Sequence, residues 1–143
     1  MALDPAFMDA WRPRLLAVLR IVTAYLFILH GTAKLFHVPH VAAFDNLQLF
    51  SLVGLAGMLE FVGGLLLLVG LFTRPVAFIL AGEMAVAYFM GHAPRGNALL
   101  PLLNQGELAV LYCFVFLFLS VAGPGAWALD RARRWSSERR ATI

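Results

Sequence analysis

The sequence predicts an all-α membrane protein, a bundle of four transmembrane helices with both ends in the cytoplasm. Three observations predict it. The chain is too apolar for a soluble core. It contains four apolar runs of about bilayer length. Its Lys and Arg residues gather at one end of those runs.

The first observation is compositional. Of 143 residues, 62% are hydrophobic and 13% charged, with a mean hydropathy of +0.83. A soluble domain is about 45–50% apolar and about 25% charged. One domain of this length leaves much of its surface outside the core, so the excess needs lipid as its solvent.

The second is the set of runs. A hydrocarbon core of ~30 Å takes ~20 residues at ~1.5 Å each. The runs cover approximately residues 15–34, 52–72, 75–91 and 105–122. Pro75 suits a first helical turn, where its missing N–H is no loss. Gly123-Pro124-Gly125 is a strong stop. Residues 1–7 show no pattern and read as a vector remnant, so the membrane domain is expected over residues 8–130. Arg12 and Arg14 before the first run resemble a signal peptide, but Arg20 interrupts the run and its length favours a retained helix.

The third is charge placement, which orients helices by the Lys and Arg of short loops. Arg12, Arg14, Arg74 and a tail with Arg131, Arg133, Arg134, Arg139 and Arg140 lie at one end, and Lys34 and Arg95 at the other. The richer end is predicted to be cytoplasmic, in a multi-pass protein of the cell's inner membrane. The tail, residues 131–143, is expected to face anionic lipid and not nucleic acid. The lone Cys113 has no internal disulfide partner and reads as an inert core thiol.

Ionisable residues at membrane depth are the candidates for function, because each is costly there. His30, Glu60, Glu83 and Glu107 fall inside the predicted spans, with Lys34 and His92 near the outer rim. Counted from the cytoplasmic ends, His30 and Glu107 sit ~24 Å up, Glu60 ~20 Å and Glu83 ~14 Å. His30, Lys34, Glu60, Glu107 and His92 are therefore expected to meet in the outer half, with Glu83 about one turn deeper. Glu60 shares its helix side with Gly57, Gly63 and Gly64, which marks that side as a packing face. The expected proton-exchange cluster is Glu60, Glu107, His30 and Lys34. Glu83, His92, Asn104 and Tyr112 are expected to contact a substrate. No residue spacing points to a metal site, a nucleotide-binding loop or a nucleophile.

Three stretches carry a family resemblance. They are His30-Gly31-Thr32-Ala33-Lys34-Leu35-Phe36, then Glu60-Phe61-Val62-Gly63-Gly64 with Gly70 and Thr73-Arg74. The third is Asn104-Gln105-Gly106-Glu107-Leu108-Ala109 through Tyr112, with Gly123-Pro124-Gly125 and Asp130. In this order the chain resembles the DoxX family over roughly residues 15–131, departing at Ala128, where that pattern has serine. The resemblance implies a four-helix inner-membrane protein. It also implies, for some relatives, membrane subunits of thiosulfate:quinone oxidoreductase or of thiol-linked complexes. The expected function is a membrane subunit of a redox system with a quinone as possible ligand and a redox partner protein, in a chain that could oligomerise. A non-catalytic assembly protein and a small-molecule or metal transporter are the alternatives.

Overall fold

The computed structural model describes residues 4–132. Arg133, Arg134, Arg139 and Arg140 of the basic tail lie outside the described residues. Four long helices run antiparallel in sequence: α1 (Pro5–Phe36), α2 (Leu52–Val69), α3 (Thr73–Ala87) and α4 (Glu107–Ala122). A π-helical turn, Tyr88–His92, extends α3, and short 3-10 turns lie at Ala42–Phe44 and Ala93–Arg95. Among the described residues there is no strand.

Each helix end has a local cause. α1 begins within the segment expected to stand outside the fold, because Asp4 accepts a hydrogen bond from the Ala6 amide at 3.1 Å and Pro5 presets the first turn. The Ser51 hydroxyl caps α2 through the Gly54 amide at 3.1 Å. Gly70, at φ 69°, ends α2 three residues before the expected Phe72, and Leu71 N–H reaches back to the Leu66 carbonyl at 2.9 Å. α3 then starts at Thr73, with Pro75 in its first turn as expected.

α1, α2 and the extended α3 are long and apolar enough to cross a membrane. α4 has 16 residues and is apolar along its length, spanning about 24 Å at ~1.5 Å per residue. Their outward faces carry exposed Leu15, Val22, Phe78, Phe114 and Val121, as a lipid-facing surface requires. Inside, Phe27, Leu67, Leu80, Phe116 and Leu119 form the core.

α1 packs along α2 and α3 along α4, while α2 meets α3 more sparingly. The glycine face of α2 is used as its sequence indicates. A Cβ on Gly57 would stand 2.9 Å from Lys34 Cβ, and one on Gly64 2.6 Å from Ile28 Cγ1. From α1 the approach is to backbone: a Cβ on Gly31 would stand 2.6 Å from the Phe61 backbone nitrogen. Backbone cannot yield as a side chain does. Gly31→Ala is expected to push α1 off α2 and destabilise the bundle by about 1–3 kcal/mol. Thermal unfolding in detergent measures this, and an unchanged midpoint would contradict the packing.

The cytoplasmic end is closed by Arg20, which is completely buried. Its guanidinium donates to the carbonyls of Leu67 at 2.5 Å and Leu68 at 2.7 Å, in the last turn of α2. It also donates to Pro124 at 2.8 Å, Trp127 at 3.0 Å and Ala126 at 3.3 Å, beyond α4. Helix ends leave such carbonyls without partners, and a planar fork of donors satisfies several at once. Gly125, at φ 72°, lets this segment pass close to α1, and the Ala126 amide donates to the Pro13 carbonyl at 2.7 Å. Asp130 accepts from the amides of Phe72 and Thr73 at 2.8 Å each, capping α3 from a distant part of the chain. Arg74 donates to the Ser120 carbonyl at 3.2 Å and to that of Val121, at the end of α4. Residues 124–130 thus tie all four helices together. They meet the first turns of α1 at one end, the arginine-rich end predicted to be cytoplasmic.

Candidate functional site

The outer half of the bundle contains a cavity of about 790 Å³ between the α1–α2 and α3–α4 hairpins. Most of its lining is apolar, from Phe27, Leu59, Met84 and Ala109 among others. His30, Lys34, Glu60, Glu83, His92, Arg95, Gln105 and Tyr112 bring polar groups to its wall. Leu52, Leu55, Ile79 and Met90 both line it and face outward, so the cavity reaches the lipid side between α2 and α3.

Its centre is an ion pair. Lys34 Nζ donates to Glu60 Oε1 at 2.5 Å, with the carboxylate side chain only 3% exposed. The other Glu60 oxygen is buried and makes no hydrogen bond. Glu83 is within Coulombic range of both Glu60 and Lys34, and both of its oxygens are buried without a hydrogen-bond partner. Three carboxylate oxygens therefore border the cavity unsatisfied, an uncommon state for buried polar groups. Phe44, from the outer loop, lies over the ammonium with its ring centre 5.7 Å from Lys34 Nζ.

Glu83 is not one turn deeper than Glu60. The expectation of unequal depth counted from Phe72, but α2 ends at Val69. Glu60 lies nine residues from that end and Glu83 ten residues from Thr73, about 14 and 15 Å respectively. The two carboxyls are level.

The other candidates divide. His30 lines the cavity with its ring edge toward Tyr112 at 6.1 Å, and Tyr112 stacks on Phe116 at 5.7 Å. His92 lies at the rim, its Nδ1 3.2 Å from the Asn104 carbonyl. The Asn104 side chain is committed to the outer loop: its Nδ2 donates to Tyr88 Oη at 3.1 Å and to Asn97 O at 3.3 Å, and its Oδ1 accepts from Gly106 at 2.9 Å. Glu107 does not join the cluster. It is the exposed first residue of α4, where a carboxylate complements the positive end of the helix. It was expected inside the span beginning near residue 105, but α4 starts at Glu107 itself, and Asn104 belongs to the loop before it. Among the described residues no group of three or more His, Cys, Asp and Glu is placed to hold a metal ion.

The spacing of polar residues did not indicate Arg95, Gln105 or Phe44 as cavity residues. They arrive on the two outer loops, whose paths depend on the left-handed turns at His37, Asn97 and Gln105.

A multi-pass helical bundle with apolar outward faces and buried ionisable groups around an internal cavity is an integral membrane protein. Residues 15–93 match the model of the DoxX family, and the chain belongs to that family. It is similar to a Haemophilus influenzae protein described as uncharacterized, with 50% identity over 86% of this chain and 93% of that one. It is also similar to two Escherichia coli K12 proteins. Inner membrane protein YqjF is 30% identical over 82% of this chain and 92% of its own, and inner membrane protein YphA is 30% identical over 85% and 92%. No solved structure matches. The chain is accordingly a multi-pass inner-membrane protein in contact with the lipid bilayer.

Proposed function

We propose that this chain is the membrane subunit of a redox system, and that its outer cavity holds a quinone headgroup. The observation that carries the reading is the cavity itself: apolar, reaching the lipid side, and bordered at one level by Lys34–Glu60 and the unpartnered Glu83. Ligand sites combine mostly apolar walls with a few convergent polar groups. A quinone takes up two electrons and two protons to become a quinol. The electrons come from a thiol- or sulfur-linked partner protein. In this reading the Glu83 carboxyl hands over a proton and Glu60 and His30 pass protons onward. Lys34 holds positive charge beside the oxygen on which negative charge develops.

The test is Glu83→Gln, which keeps the shape and removes the proton. Binding of a short-tailed quinone is measured in detergent, and thiol-driven quinol formation in native membranes. The expected result is at least a tenfold loss of turnover at normal expression and thermal stability. Unchanged turnover sinks the role.

A non-catalytic assembly protein is the second reading. It is favoured by the fact that Lys34–Glu60 bridges α1 and α2. It requires that Glu83→Gln alter pathway activity only in proportion to protein abundance.

A further inference from the structure

The cytoplasmic end has a second cavity, of about 910 Å³, which the outer site does not use. Arg12 of α1, Arg74 of α3 and Arg131 beyond α4 reach it from three parts of the chain. We propose that it binds the phosphodiester headgroup of an anionic membrane lipid.

Charge is the first argument. Asp130 is the acid among the described lining residues, but its two oxygens accept the Phe72 and Thr73 amides, and its charge also interacts with Arg20. Among the described residues Arg12 pairs only with exposed Asp9, at 3.0 Å. Arg74 directs Nη1 to the α4 carbonyls, and its remaining nitrogens make no hydrogen bond among the described residues. Positive charge therefore remains in the pocket, and guanidinium groups match phosphate oxygens two at a time.

An unsatisfied donor is the second argument, and it is independent of charge. Thr73 lines the cavity, is completely buried, and its hydroxyl has no hydrogen-bond partner. The hydroxyl is sealed from the cavity in this structure, so a phosphate oxygen accepts from it only once the Thr73 side chain rotates toward that space.

The walls decide between a lipid and a free phosphate. Leu16, Phe72 and Pro124 line the same space, and Phe72 is half exposed. A soluble anion gains nothing from such walls, whereas a lipid's glycerol and first methylenes do. The cavity also lies at the arginine-rich end of the bundle, and basic pockets on the cytoplasmic side of transmembrane helices hold anionic headgroups.

The experiment uses the full chain, purified in detergent and delipidated. Phosphatidylglycerol, cardiolipin, phosphatidylcholine or inorganic phosphate is added back. Thermal midpoint and lipid retention by native mass spectrometry are read at low salt. The expected result is a raised midpoint and a retained lipid with the two anionic lipids only. The double variant Arg12→Gln/Arg131→Gln removes two exposed side chains, so its midpoint without lipid should match the native protein. It should bind phosphatidylglycerol about fivefold more weakly per arginine, roughly twenty-fivefold in all. Thr73→Val should weaken binding as well. Equal binding by native protein and double variant overturns the proposal, as does equal retention of phosphatidylcholine. A midpoint rise with phosphate alone, together with displacement of lipid by phosphate, overturns the lipid assignment in favour of a soluble anion.

Discussion

Arg20→Met is expected to leave little folded protein. The guanidinium holds five backbone carbonyls at the end of α2 and beyond α4. Methionine fills part of the volume but donates nothing. Each buried carbonyl left without a partner costs about 1–3 kcal/mol. These costs do not add fully, because the loosened loop admits water, so the expected loss is roughly 3–5 kcal/mol. Arg20→Lys should rescue only part of it. An ammonium is a compact group with three donors and cannot span carbonyls that a planar fork reaches. Thermal midpoints and monodispersity in detergent decide the matter. A methionine variant as stable as the native protein would show that the arginine does not hold the cytoplasmic end together.

The second large effect is at the Lys34–Glu60 pair. Removing the lysine alone, as in Lys34→Met, leaves a carboxylate 3% exposed with no counter-charge. Breaking a buried pair from one side costs about 3–5 kcal/mol, whereas replacing both partners by apolar residues is often neutral or stabilising. The double variant Lys34→Met/Glu60→Leu is therefore expected to be more stable than Lys34→Met alone. A double-mutant cycle of thermal stabilities measures the coupling, and independent effects would contradict the ion pair. The double variant also separates the two readings of the site. If the pair serves only packing, pathway activity survives in the double variant. If it serves a ligand, activity is lost while the bundle stands.

Both residues show where sequence reasoning succeeds and where it stops. The spans were legible because lipid demands long apolar runs, and α2, α3 and α4 begin within about two residues of their expected starts. The inward face of Glu60 was legible from Gly57, Gly63 and Gly64, because helical periodicity is local. Arg20 was visible only as an interruption, since its acceptors lie 47 to 107 residues away. The same holds for Asp130, whose capping of Thr73 crosses 57 residues. Position along a helix fixes depth only when the helix end is known, and Gly70 ends α2 early by backbone geometry that apolar content does not encode, which is why Glu60 and Glu83 were expected at unequal depths. Glu107 was misplaced for a different reason: its depth counted from Ala122 stands, but α4 begins at Glu107 itself and leaves the side chain exposed at the rim. Several motif residues that carried the family resemblance, Gly70, Thr73-Arg74, Gly123-Pro124-Gly125 and Asp130, gather at the cytoplasmic closure. Gly31, Lys34, Glu60 and Gly64 build the α1–α2 seam and the outer cavity.

The reach of Arg20 also sets an order of events during synthesis. Its partners Pro124, Ala126 and Trp127 are made 104 to 107 residues later. At roughly 5–20 residues per second, that is a delay of about 5–20 s. Through that interval α1 sits in the bilayer with a charge that has at most the α2 carbonyls to bind. Its place near the cytoplasmic surface lets the side chain bend toward headgroups and wait. The bundle closes only when residues 124–127 emerge, so a chain cut short before residue 124 leaves the guanidinium without three of its acceptors. A buried arginine thereby makes synthesis of residues 124–127 a condition for closing the bundle around the first helix.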